Sequence, residues 1–362
     1  MLEKIVKPLL AWYDKGRRIL PWRESPTPYH VWVSEIMLQQ TRVEAVKPYY
    51  DRFMKELPDI EALAKVDEEK LLKLWEGLGY YNRARNLRKS AEKIVIDYEG
   101  QMPDSYEELV KLTGIGSYTA GAIASIAFGK PYPAVDGNVL RILARLRLDE
   151  RDILDTGVKR AVETELLQII PKDRPGDFNQ ALMELGAVVC VPNGMPKCDI
   201  CPLSVFCEAM KAERITEFPK KKPKKPRSIE EKTVLVIQDD DKIVLRKRKE
   251  TGLLAGMYEF PSMDGAQTAK RVLAYIKAMG MTPLKIEKLP PAKHIFTHKE
   301  WHMTGFLVRI DELELLEPKE ELFFAAQHEM SDRYPLPSAF AAYMKFVGTK
   351  GPETGNGGKS RG

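Results

Sequence analysis

Two acidic residues and a group of cysteines are the side chains of this sequence best suited to chemistry. Glu35 is a lone acid in an apolar run with helical patterning, Val33-Ser34-Glu35-Ile36-Met37-Leu38-Gln39-Gln40-Thr41, and is read at the start of that helix. Burial there would raise its pKa and make it a proton donor near neutral pH. Asp136 lies in Pro133-Ala134-Val135-Asp136-Gly137-Asn138-Val139, where the glycine marks a sharp turn just before a helix. A helix end and its free amides would hold that carboxylate ionised. Such a pair can break a bond between a sugar and a base: one acid protonates the leaving group, the other stabilises positive charge on the sugar. Taken singly, each has a plainer explanation, a first-turn helix charge for Glu35 and an N-cap for Asp136.

The four cysteines, Cys190, Cys198, Cys201 and Cys207, fall within 18 residues. Two disulfides in so short a loop suit a large, otherwise cysteine-free chain poorly. A metal or cluster site in a reducing compartment suits it better. One Cys-x-x-Cys pair flanked by a single cysteine on each side favours an iron–sulfur cubane, which takes one thiolate per iron. Zinc ribbons usually show two such pairs, though zinc and unliganded core cysteines stay open on spacing alone.

A third segment, Leu112-Thr113-Gly114-Ile115-Gly116-Ser117-Tyr118-Thr119-Ala120, closes one helical stretch and opens another. Gly114 and Gly116 permit a tight turn with exposed amides, and the helix end adds partial positive charge. Together they make an anion site suited to a DNA phosphate. For an isolated Gly-x-Gly a plain helix–helix turn is the favoured reading.

The elements that must position these residues follow from the wider pattern. A chain of 362 residues, 44% hydrophobic and 30% charged, holds two or three domains with real cores. No apolar run reaches the length of a membrane span, and the first fifteen residues read as an amphipathic helix and not as a secretion signal. Residues 1–215 carry apolar residues at three- and four-residue spacing, as in Leu71, Leu72, Leu74, Trp75 and Leu78, or Val162, Leu166, Ile169 and Ile170. The stretch from Phe218 to Arg227 reads as an extended basic linker (residues 216–228), with no packed core. Its six cations account for the net charge of +5, so overall basicity is weak support for nucleic-acid binding. Residues 229–348 become strand-like at Lys232–Gln238, Lys242–Arg246 and Met303–Ile310, with a turn at Asp239–Asp241 and a closing helix near Ala339–Val347. Residues 349–362 are expected to be disordered. His294, His298 and His302 recur every fourth residue, but their apolar and aromatic neighbours favour extended structure over a helical zinc site.

In combination these strings resemble the adenine DNA glycosylases of the MutY family, within the helix-hairpin-helix glycosylase superfamily. The resemblance covers roughly residues 10–340. The cysteine loop departs from the family pattern only in its first gap, which holds seven residues instead of six. The fold implied is an all-α helix-hairpin-helix core, with its hairpin at about 105–127 and a 4Fe-4S loop at 190–207, followed by an α+β Nudix-like domain. The activity implied is flipping and excision of adenine mispaired with 8-oxoguanine, or with guanine, in base excision repair. By this resemblance Glu35 protonates the adenine, Asp136 stabilises or traps the sugar cation, Asn138 orients Asp136, and Tyr118 lies beside them. Trp22, Arg23 and Gln180 would line the adenine pocket. Gln40, Thr41 and Tyr80 would fill the gap in the duplex, and Gly114 and Gly116 would grip phosphate. Phe296, Thr297 and His298 would read 8-oxoguanine. Superfamily members that also cut the strand carry a lysine where this chain has Tyr118. A phenol cannot form a Schiff base, so a monofunctional glycosylase is expected over a glycosylase-lyase. No glutamate lies between Ser262 and Lys285, so the Nudix-like domain should recognise without hydrolysing. The partner implied is double-stranded DNA. A monomer is expected, without membrane attachment, in the cytoplasm of a bacterial-type cell or in a nucleus.

Overall fold

The computed structural model describes residues 2–223, 226–239, 241–249, 251–311 and 322–349. Lys224 and Lys225 of the linker, Asp240 of the expected turn and the tail from residue 350 lie outside them. The helices are α1 (Glu3–Gly16), α2 (Pro21–Glu24), α3 (Pro28–Leu38), α4 (Val43–Glu56), α5 (Ile60–Lys65), α6 (Glu68–Leu74), α7 (Asn82–Asp97) and α8 (Tyr106–Leu109). There follow α9 (Ser117–Ile126), α10 (Gly137–Arg147), α11 (Thr156–Ile169), α12 (Pro175–Val188), α13 (Glu208–Lys211), α14 (Ala269–Ala278), α15 (Gln327–Arg333) and α16 (Ala341–Met344). Among the described residues no helix is long and apolar enough to cross a membrane.

The chain divides into two compact units, one of residues 1–66 and 82–224, the other of residues 67–81 and 225–362. The first unit is helical. Ile5, Leu9 and Tyr13 form one stripe of α1 and enter a core with Leu143 of α10, Phe178 and Leu185 of α12, and Cys190 and Cys207. Each such side chain contributes about 1.5–3 kcal/mol on burial. Phe218, read as the start of the linker, belongs to this core and is 2% exposed. Ile153 N–H also donates to Lys220 O at 3.2 Å, so the packed unit reaches the first lysine of the run. The adjacent charges disguise an anchoring aromatic.

The second unit is built on strands β1 (Ser228–Asp239), β2 (Lys242–Lys247), β3 (Tyr258–Glu259), β4 (Ser262–Asp264), β5 (Thr282–Ile295), β6 (Lys299–Asp311) and β7 (Leu322–Ala326). They form a mixed sheet in the order β3-β2-β1-β6-β5, with β4 beside β1 and β7 beside β2. The central β1–β6 pair is parallel, from Ser228 opposite Lys299 to Gln238 opposite Arg309. Both faces are covered, as the period of two requires. Val234 and Val236 pack with Trp301, Met303 and Tyr343 on one side. Leu235 and Ile237 pack with Phe306, Val308 and the α14 residues Val272 and Ile276 on the other. The closing helix is shorter than expected, a 3-10 turn at Ser338–Phe340 leading into α16.

The sequence reading keeps 67–81 within a continuous helical region, whereas these residues cluster with the sheet unit. The reason is specific. Glu69 accepts from Tyr258 Oη at 2.7 Å, and Glu76 accepts from Leu336 N–H at 2.8 Å.

Candidate active site

Helix α3 starts where Thr27 caps His30 N–H and Pro28 supplies the first helical position. It is buried almost all round, from Tyr29 to Met37. Glu35 therefore lies in the last part of this helix and not at its start, and it is the single acid on a helix with no solvated face. Burial pushes its carboxyl up to about 7. A hydrogen bond from Tyr118 Oη and the Arg23 charge oppose that rise, and the Asp136 charge adds to it.

Asp136 is the N-cap of α10. Its Oδ1 accepts from the N–H groups of Asn138 and Val139, each at 2.8 Å, and its Oδ2 accepts from Asn138 Nδ2 at 2.7 Å. The plain N-cap reading and the functional one hold together, because the same carboxylate lines the cleft that holds Glu35. Burial raises its pKa against those hydrogen bonds and the Arg141 charge. The helix-end amides and Asn138 therefore act against burial, which is the larger effect on this group. The two acids still differ: Asp136 accepts three donors that favour its charged form, whereas Glu35 accepts the one from Tyr118.

Asn138 is itself held. Arg141 Nη2 donates to Asn138 Oδ1 at 2.8 Å and to Gly186 O at 2.9 Å, and Arg141 Nε donates to Cys190 O at 2.9 Å. A cleft of about 1070 Å³ gathers Glu35, Tyr118, Asp136 and Asn138 with Trp22, Arg23, Gln180, Gln40 and Thr41, within the range of small-ligand sites or above it. Glu184, missed in the sequence, lies in the same wall. Its buried carboxylate binds Arg18 Nε at 2.6 Å and Arg23 Nη2 at 2.9 Å, and these arginines hold it below the usual carboxylate range. Arg83 was also missed. Its Nη1 donates to the carbonyls of Ile36, Met37 and Gln39 at 2.6–3.1 Å, bracing the turn in which Gln40 takes a φ of +59°.

The glycine hairpin lies between α8 and α9. Gly114 has a φ of +81°, and a Cβ there would meet Asn86 Cβ at 2.9 Å. Gly116 caps α9 in ordinary extended backbone with open space around it. Only the first glycine is demanded by the turn; the second leaves room for a ligand to approach the helix end.

In the second unit Tyr81 is buried and Tyr80 is 50% exposed, so of the two tyrosines only Tyr80 is available to a ligand. Its hydroxyl is 3.1 Å from Thr297 Oγ1. Phe296, Thr297 and His298 form the turn between β5 and β6, closed by Phe296 N–H donating to Lys299 O at 2.8 Å. The Phe296 ring is half-buried against Trp301, with ring centres 4.8 Å apart. His294 and His302 stand on the paired strands β5 and β6, opposite Trp301 and Lys293.

Cys190 and Cys207 are buried, Cys198 and Cys201 partly so. Burial pushes the Cys201 thiol up to about 12, with the other three cysteines adding to the rise. Arg145 Nη1 donates to Cys190 Sγ at 3.2 Å. Burial and mutual repulsion thus disfavour the thiolate forms in this loop, and only a group carrying several positive charges would hold all four sulfurs deprotonated. Among the described residues no three His, Cys, Asp or Glu side chains are gathered as ligands of one ion. Four cysteines on one loop are a donor set that fits a cluster taking one thiolate at each iron.

A family described as "HhH-GPD superfamily base excision DNA repair protein" matches residues 33–184, and one described as "NUDIX domain" matches residues 233–346. The solved structure of a thermostable thymine-DNA glycosylase is 29% identical with a TM-score of 0.52, covering 58% of this chain and 97% of that one. These likenesses define the class: a helix-hairpin-helix core of the base excision DNA repair type joined to a Nudix-like domain. The adenine DNA glycosylase of Arabidopsis thaliana is 39% identical over 82% of this chain and 55% of its own length. That of Buchnera aphidicola is 36% identical over 83% of this chain and 85% of its own length. The chain belongs to the adenine DNA glycosylase family. It spans little more than half the length of the Arabidopsis relative.

Proposed function

We propose that this chain binds double-stranded DNA and hydrolyses the N-glycosidic bond of adenine mispaired with 8-oxoguanine, or with guanine, without cutting the strand. The observation that carries this reading is the buried Glu35 carboxyl, poised at about 7 in one cleft with Asp136 and Tyr118. The target adenine must leave the helix stack to reach that cleft, at a cost of a few kcal/mol. Trp22, Arg23 and Gln180 receive the base, Gln40, Thr41 and Tyr80 fill the vacated space, and the Gly114–Gly116 turn holds a phosphate.

Glu35 gives its proton to a ring nitrogen of adenine. The bond between sugar C1′ and the base then breaks, and its electron pair leaves with the base. Asp136, oriented by Asn138, stabilises the resulting cation or traps it as an ester. Water adds at C1′, and its proton returns to Glu35. Cys190, Cys198, Cys201 and Cys207 would hold a 4Fe-4S cluster, which supplies four covalent ties within the loop. Thr297 and His298, with Phe296 behind them, read the opposite base.

The test is incubation of the chain, as a monomer, with a duplex carrying adenine opposite 8-oxoguanine, followed by alkali to reveal abasic sites. Glu35→Gln should abolish cleavage and leave mismatch binding nearly intact. Adenine release by that variant would remove Glu35 from its role. Borohydride should capture little covalent complex on abasic DNA.

A further inference from the structure

Residues 67–81 belong to the sheet unit, although the chain places them between two helices of the catalytic unit. Two carboxylates fasten them there. Glu69 Oε1 accepts from Tyr258 Oη at 2.7 Å and from Lys247 Nζ at 3.3 Å. Glu76 Oε1 accepts from the buried Leu336 N–H at 2.8 Å, and Lys73 neutralises its other oxygen at 2.5 Å. The two attachments converge, since Tyr258 N–H donates to Pro335 O at 3.2 Å, one residue from Leu336. Both are charge-assisted, the stronger kind of hydrogen bond.

Past Glu76 the backbone is committed to one unusual shape. Gly77, Gly79 and Tyr80 all have positive φ, +99°, +70° and +48°. For a tyrosine that conformation costs energy and persists only where its surroundings impose it. Trp75 Nε1 donates to Gly79 O at 3.1 Å, and Tyr80 ends 3.1 Å from Thr297 Oγ1. The contact joins residues 217 apart in the sequence.

We propose that Glu69 and Glu76 are positioning residues for recognition of the opposite base: they hold the Tyr80 loop on the sheet unit, so that Tyr80 and Thr297 form a single reading surface. This inference rests on the reading under Proposed function. Neither glutamate lines the cleft that holds Glu35. Each acts by fixing where the Tyr80 ring stands relative to Thr297. Loosening them should cost discrimination between opposite bases and spare the chemistry at Glu35.

The experiment measures kcat/KM for adenine opposite 8-oxoguanine and opposite guanine, using the full chain with its cluster. Wild type, Glu69→Gln, Glu76→Gln and the double variant are compared. The expected result is a fall of about tenfold in the preference for 8-oxoguanine in the double variant, as two such bonds weaken, with excision opposite guanine unchanged. Tyr258→Phe removes only the hydroxyl that Glu69 accepts from, and it should lower the preference in the same direction. It also carries the test if the double variant fails to fold. Added to Glu69→Gln, Tyr258→Phe should cost less than it does alone, because the two changes act on one hydrogen bond. An unchanged preference, or rates that fall equally on both substrates, overturns this inference alone. A wild-type chain that shows no preference sinks the underlying reading, and this inference with it.

Discussion

A carboxyl pushed up to about 7 by burial changes its protonation state inside the range in which a repair enzyme works. Glu35 must carry its proton to act as the acid, so excision should be fast below about 7 and decline as pH rises through that value. A single-turnover pH profile reads this directly, and a rate that climbs steadily to pH 9 would contradict it. Tyr118 tunes the same group, because its hydrogen bond lowers the Glu35 pKa. Tyr118→Phe should therefore move the alkaline limb to higher pH. A limb that stays in place would mean that the hydroxyl has no electrostatic part. Stability follows with a definite sign. The folded pKa lies above the ordinary 4.5, so the folded state binds the proton more tightly than the unfolded one. Stability is full below about 4.5 and is lost as pH rises through about 7. Above that, the buried charge costs up to about 3 kcal/mol. Glu35→Gln should consequently raise the Tm at pH 8 while abolishing activity, and should change Tm little at pH 4.

Helix α10 aims Asp136, and α12 supports the aim. A Cβ on Gly186 would lie 2.5 Å from Asn138 Cβ, too close for the side chain that orients Asp136 to keep its place. Gly186→Ala should cost about 1–3 kcal/mol in stability. It should also slow excision more than it weakens DNA binding, because what moves is Asn138. Single-turnover rates set beside mismatch affinity separate the two, and equal losses in both would reduce Gly186 to a packing residue. This is also the scale at which the sequence was most and least readable. Asp136-Gly137-Asn138 announced a cap before a helix, because capping is local chemistry. The Thr27-Pro28 pair carried an equally local signal for the start of α3, and reading past it placed Glu35 too near the beginning of its helix. Phe218 was hidden by its neighbours, because burial is decided by what packs against a ring and not by the charges that follow it. The allegiance of α6 was beyond any local pattern. Its apolar spacing predicts a helix correctly, but Glu69 and Glu76 find their partners 189 and 260 residues away.

At the scale of the whole molecule, the two units bury separate sets of side chains, which implies two unfolding events. Cys190 and Cys207 belong to the core of the first unit, together with residues of α1, α10 and α12. Without a cluster, the four thiols of that semi-buried loop lose the covalent ties that would hold them together. The loop also carries the Cys190 carbonyl that anchors Arg141, and Arg141 holds Asn138 against Asp136. Cluster loss should thus propagate to the acid pair through packing and three hydrogen bonds. The sheet unit holds none of the cysteines, and its cores are built from its own strands and helices. Calorimetry of the protein before and after removal of the cluster by an oxidant and chelator, with loss of the visible iron–sulfur absorption as the control, should show one transition shifted down by several degrees and the other in place. Adenine release should disappear with the shifted transition. If the cluster were stripped, both transitions held and excision persisted, the loop would be an independent appendage, and the line of contacts from Cys190 to Asp136 would carry no stability.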